Sequence, residues 1–174
     1  MSPDIIDTGT RLWPTETREL DAAERFIVRS FRRWILGLRQ NDGGHWSLVW
    51  NEFARNFGEP DGKAALSGFA RLVRGLQCHA RRNIAYHQPC CPCLCADEIC
   101  IVNMVAACQR RRLSHAHALA EWMVCADGIG DLIDAASQVA HFMGNHGLAF
   151  PDRSRPAPLP VAGAAPAPEY RTVH

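Results

Sequence analysis

Through most of this chain apolar residues return at every third or fourth position, and nowhere do they alternate as a half-buried strand requires. Leu20, Ala23, Ile27, Phe31, Trp34 and Leu38 mark one face of a helix over about 18–40. Arg25, Arg29, Arg32, Arg33 and Arg39 fall mostly on its other faces, and Asp21 stands one turn before Arg25, at ion-pair spacing. Asn41-Asp42-Gly43-Gly44 ends this helix. Trp46, Val49, Trp50, Phe53 and Phe57 form the stripe of a second, closed by Gly58, and aromatics so concentrated read as core. Glu59-Pro60-Asp61-Gly62 reads as a turn, followed by a third helix (Leu66, Phe69, Val73, Leu76, Ala80) to about Arg82.

Pro89 and Pro92 exclude regular structure from Tyr86 to Ala96. Asp97 suits the N-cap or first turn of a fourth helix carrying Ile99, Val102, Val105 and Ala106. Ser114 is placed to cap a fifth, with Leu119, Trp122, Met123 and Ala126. Asp127-Gly128-Ile129-Gly130 marks a break, and Leu132, Ile133, Ala136, Val139, Ala140 and Met143 a last helix. The pattern predicts an all-α fold: a bundle of five to six short helices with an irregular cysteine-rich loop between the third and fourth.

A chain of 174 residues suits one domain, here expected over 18–150 as a helical metal-binding unit after an irregular lead-in at 1–17. Six of the eleven prolines fall from Pro151 onward among alanines, which predicts a disordered Pro/Ala-rich tail over 151–174. The net charge of +1 gives no global attraction to nucleic acid or an anionic membrane. No apolar run approaches the ~18 residues a spanning helix needs. Met1 to Thr10 holds two aspartates and no signal-peptide progression, so a cytoplasmic location is expected.

In a reducing compartment eight cysteines point to metal binding or thiol chemistry rather than to disulfides. Six of them lie between Cys78 and Cys100. Thiolates are soft ligands for zinc, copper(I) or iron–sulfur iron. The spacings in Cys90-Cys91-Pro92-Cys93-Leu94-Cys95 are tighter than the paired Cys-x2-4-Cys of structural zinc sites. Cys91 and Cys93 still form a chelating pair, to which Cys90, Cys95, His87 and Cys78 are the candidate additions. Cys78 shares the polar face of Arg71 and Arg74, whereas Cys108 and Cys125 sit among apolar residues and read as core. The expected function is metal binding in a regulatory or sensing role, with zinc as the cofactor and an iron–sulfur cluster as the alternative.

The stretch Pro89-Cys90-Cys91-Pro92-Cys93-Leu94-Cys95-Ala96-Asp97-Glu98 resembles an uncharacterised group of small helical bacterial proteins, with a cysteine pair or triplet shortly before an Asp-Glu helix start. The likeness runs from about Trp34 to Pro151. It implies that Cys91, Cys93, Asp97 and Glu98 are the family-like positions, with Cys95 standing where a hydroxyl residue is expected. It implies no activity.

Two other functional classes remain open. One is a thiol redox protein using Cys91 and Cys93, with Cys93 and Cys95 near a helix N-terminus that lowers thiol pKa. The other is a binding module that presents Arg71, Arg74, Arg81, Arg82 and Arg110 to Arg112 to nucleic acid or an acidic protein. His117 and Glu121 share a helix face without the Glu-x-x-His repeats of di-metal bundles, and Asp127, Asp131 and Asp134 lack calcium-loop spacing.

Overall fold

The computed structural model describes residues 13–153 and the backbone of 171–172. After a 3-10 turn at Thr17–Glu19 come six helices: α1 Ala22–Gln40, α2 Gly43–Phe57, α3 Glu59–His79, α4 Ala96–Gln109, α5 Leu113–Met123 and α6 Ala126–Asn145. The cysteine-rich loop joins α3 to α4, as the periodicity predicts. Within it β1 (Ala85–Tyr86) pairs antiparallel with β2 (Arg171–Thr172). A two-residue strand is too short to leave a period in the sequence.

The helix boundaries follow local chemistry. Asp21 caps α1 through the Glu24 N–H at 3.0 Å, and the Glu24 carboxylate accepts from the Asp21 N–H at 3.0 Å. Asp21 is therefore engaged as a cap, and Arg25 donates to the Leu20 carbonyl at 2.6 Å instead of to its carboxylate. Asn41 closes α1 in the left-handed region, φ 50. Gly58, at φ 73, ends α2 and starts α3 in one residue. Glu59-Pro60-Asp61-Gly62 is thus the first turn of α3 rather than a separate turn, since proline lacks only an N–H that is orphaned there anyway.

Two further boundaries shift. Ser114 lies inside α5, whose N-cap position is Arg112. The expected break at 127–130 falls inside α6, and the chain turns earlier, through the extended Val124 and Cys125. Gly128 has a packing role: a Cβ there would stand 2.5 Å from the Cβ of His79 on α3. The early turn also carries Cys125 out of register with the α5 stripe, so it is exposed at the N-cap of α6 rather than in the core.

α4 is the central helix. It is buried on all sides from Cys100 to Cys108, packed between α5 and α6, while α3 lies along α6 and α2. Phe26, Phe53, Phe57 and Phe69 stack as an aromatic cluster between α1, α2 and α3, with ring centroids 4.8–5.6 Å apart. Trp46 and Trp50 stand half-buried at its margin and Leu38 is exposed. The bundle extends past residue 150: Arg153 reaches the nearly buried Glu24 at 2.7 and 2.8 Å. The rest of the expected tail, apart from the backbone of 171–172, lies outside the described residues, as do residues 1–12 of the lead-in.

Candidate thiol site

The cysteine loop is held by two adjacent carboxylates in the first turn of α4. Glu98 is fully buried and takes the guanidinium of Arg32 side-on, Nε to Oε1 at 2.6 Å and Nη2 to Oε2 at 2.9 Å. The remaining N–H groups of Arg32 donate to loop carbonyls: Gln88 at 3.2 Å, Cys91 at 2.7 Å and Cys93 at 2.6 Å. All five guanidinium donors are therefore used. Glu98 also accepts from the backbone N–H of His87 and of Cys95, each at 3.1 Å, so both its oxygens are fully engaged.

Arg32 was expected on a polar face, yet its side chain is 2% exposed. The signal was present in the sequence: Val28 and Ile35 bracket Arg32 at one-turn spacing, which marks a second apolar face of α1. Asp97 repeats the arrangement one residue earlier. It accepts from Arg82 at 2.6 and 2.8 Å and from the Ala85 N–H at 2.7 Å, and Arg82 lies over the Trp122 ring at 4.0 Å.

The lead-in contributes a third restraint. Thr15 O accepts from Leu94 N–H at 2.9 Å and Thr17 N–H donates to Pro92 O at 2.7 Å, so Glu16 runs antiparallel beside Cys93. Pro89 occupies the second position of a turn that the Cys91 N–H closes on Gln88 O at 3.0 Å. Irregular backbone is thereby fixed almost residue by residue.

What this frame presents is a pair of thiols. Cys91 is half-buried and Cys93 exposed, and the two side chains are near enough to interact electrostatically. The neighbouring Cys91 thiol raises the pKa of Cys93; Glu16 adds to this and Arg32 opposes it. Cys95 faces inward, its Sγ donating to Ala85 O at 3.2 Å. Burial and then the Glu98 charge push its pKa far up. The expected lowering of both thiols by the helix N-terminus is thus overturned: the neighbouring Cys91 raises Cys93, and burial raises Cys95.

Of the other candidate ligands, Cys90 is exposed in the same turn and His87 is half-buried with its N–H on Glu98. Cys78 is exposed on α3. Among the described residues no three His, Cys, Asp or Glu side chains are grouped as a metal ion needs. Cys100 and Cys108 are buried in the core, as their apolar setting predicts, and burial raises both thiols, Cys100 to about 12.

The candidate arginine surface is largely engaged internally. Arg82 is on Asp97, Arg81 donates to Val124 O, Arg71 to Gln138, and Arg110 to the Phe150 and Pro151 carbonyls. No helix among the described residues is long and apolar enough to cross a membrane. No protein-family model, curated protein or solved structure matches the chain.

Proposed function

We propose that the protein is a small metal-binding protein whose working group is the Cys91–Cys93 dithiol, with zinc as the cation and sensing or transfer as the role. The observation that carries this reading is two neighbouring, accessible thiols on a loop whose Cys91 and Cys93 carbonyls are both clamped by Arg32. A cation that displaces the thiol protons would meet both sulfurs on a frame already ordered, so little chain entropy is lost on capture. Two ligands leave the remaining zinc positions open, to Cys90, to solvent or to a partner's side chains. Open coordination favours exchange over a closed structural site. An iron–sulfur cluster takes four thiolates and suits this pair less well.

The test is metal stoichiometry by elemental analysis after zinc loading. Cys91→Ser and Cys93→Ser should each lose the metal, whereas Cys108→Ala and Cys125→Ala should keep it. Equal zinc in all four variants refutes the assignment. Affinity should also fall with acid, because the thiols must lose their protons to bind.

The same pair favours one second reading, a reversible dithiol. In it two thiols lose two protons and two electrons to a disulfide co-reactant such as oxidised glutathione. A metal-free protein that gains a Cys91–Cys93 disulfide at neutral pH would favour this reading over zinc.

A further inference from the structure

Glu16 meets the thiol loop in a geometry that two backbone hydrogen bonds define. The Thr17 N–H donates to Pro92 O at 2.7 Å and the Leu94 N–H to Thr15 O at 2.9 Å, so the bonds flank the pair Glu16 and Cys93 without passing through it. That is the narrow, non-hydrogen-bonded pair of an antiparallel ladder. In such a pair the Cα atoms approach to about 4.5 Å and both side chains leave on the same face. Glu16 is extended there, φ -130 and ψ 148, as a ladder requires. With Cys91 beside Cys93, a carboxylate and two accessible thiols gather at one edge of the loop.

The Glu16 carboxylate is held elsewhere, but weakly. It pairs with Arg18 Nε at 2.7 Å, where the arginine side chain is 80% exposed and the glutamate 37%. Water solvates both of these charges well, so an ion pair of this kind contributes little and is readily given up. While the carboxylate faces Arg18 the three groups are not assembled as a metal ion needs, and rotation of the Glu16 side chain is what would assemble them. Its charge already reaches the site, adding to the rise in the Cys93 pKa that Cys91 chiefly causes. A negative charge that disfavours a bare thiolate favours a cation at the same point. Carboxylate oxygen and thiolate sulfur are both ordinary zinc ligands.

We propose that Glu16 is the third ligand of the zinc held by Cys91 and Cys93, its carboxylate moving from Arg18 to the cation when the metal binds. The inference rests on the dithiol reading above and adds to it a ligand from outside the cysteine loop. Three protein ligands leave the fourth zinc position to water or to another molecule's side chain, in contrast to the closed four-ligand shell of a structural site.

The test measures the zinc affinity of the full chain by competition with a chromophoric chelator at neutral pH, in dilute buffer and again in about 1 M salt, where exposed charges are screened. Glu16→Gln keeps the side chain's volume and removes the carboxylate. It should weaken zinc at least about tenfold in both buffers. Glu16→His offers a neutral zinc ligand in place of a charged one and should bind zinc more tightly than Glu16→Gln. Arg18→Gln should bind at least as tightly as the native protein, because the carboxylate loses its competitor. A residue acting through charge alone would lose its effect in salt and leave the histidine and glutamine variants alike; either result overturns the proposal. Native affinity in Glu16→Gln, with zinc lost in Cys91→Ser and Cys93→Ser, removes this ligand and leaves the dithiol site standing. No zinc binding by the native protein overturns both. Glu16 lies outside the helices and is partly exposed, so these variants should keep native helicity by circular dichroism.

Discussion

Replacing Glu98 with glutamine removes one charge and changes almost no volume, which makes it a sharp probe of the loop's frame. Glu98 accepts four hydrogen bonds, two from Arg32 and one each from the His87 and Cys95 N–H groups. A glutamine oxygen satisfies the donors on one side only. Its NH2 then faces the donors on the other, one N–H from Arg32 and one from the backbone. The loss of two hydrogen bonds to a charged acceptor costs about 3–6 kcal/mol. Breaking a buried ion pair by removing one partner gives a similar figure, about 3–5 kcal/mol, because the guanidinium stays buried and uncompensated.

For a chain of this size each kcal/mol moves the midpoint by about 2–4 °C, so a drop of roughly 6–20 °C is expected. Urea unfolding followed by far-ultraviolet circular dichroism gives the free energy, and Arg32→Met with the double variant completes a thermodynamic cycle. The double variant should lose less than the sum of the singles by at least about 2 kcal/mol, since neither charge is then left alone. It should remain less stable than the native protein, because the carbonyls of Gln88, Cys91 and Cys93 lose their donor. A cost below about 1 kcal/mol for Glu98→Gln, or a coupling near zero, would falsify the claim that this pair holds the loop.

Alkali should unfold the protein through its buried thiols. Unfolded thiols lose their protons near pH ~8.5, while burial keeps Cys100 protonated to about 12. The native state thus binds more protons across that window, and stability is full below pH ~8.5 and falls by ~1.4 kcal/mol per pH unit for this thiol. Cys95 is raised in the same direction and steepens the fall; the slope of unfolding free energy against pH should flatten in Cys100→Ala, and an unchanged slope contradicts the assignment. Arg153→Met should cost about 1.5–3 kcal/mol by leaving Glu24 without its charge-assisted bonds, measured by urea unfolding, and a loss under ~0.5 kcal/mol means the segment after Phe150 contributes little. Gly128→Ala should cost about 1–3 kcal/mol, because the new methyl meets the Cβ of His79 and neither helix backbone yields easily; a neutral melting temperature shows that α3 and α6 can part there.

Most of the helical frame was legible from local pattern. The stripes through Ile27 and Phe31, Phe53 and Phe57, Phe69 and Val73, and Leu132 and Val139 all proved to be core. Where the reading of boundaries slipped, one residue type had two uses. Gly128 and Gly130 suggested a break, but Gly128 serves a close helix crossing; Pro60 suggested a turn, but the first turn of a helix accepts it. Arg32 was assigned to a polar face by its charge, although its apolar neighbours one turn away pointed inward. Its partner stands 66 residues further on, beyond the reach of any helical period.

The division has a physical basis. A helix is closed by hydrogen bonds four residues apart and buried along a stripe of period 3.6, so composition over a dozen residues determines where helices form and which face turns inward. The cysteine loop was equally evident, since two prolines and crowded thiols permit nothing regular between Tyr86 and Ala96. Tertiary structure alone decided that Cys91 and Cys93 stay accessible while Cys95 turns inward, and that Asp97 and Glu98 each hold an arginine. Each of these depends on helices distant in the chain crossing at a particular angle and depth. A thiol's acidity and a carboxylate's partner follow from desolvation and nearby charge, and neither exists until the chain has packed.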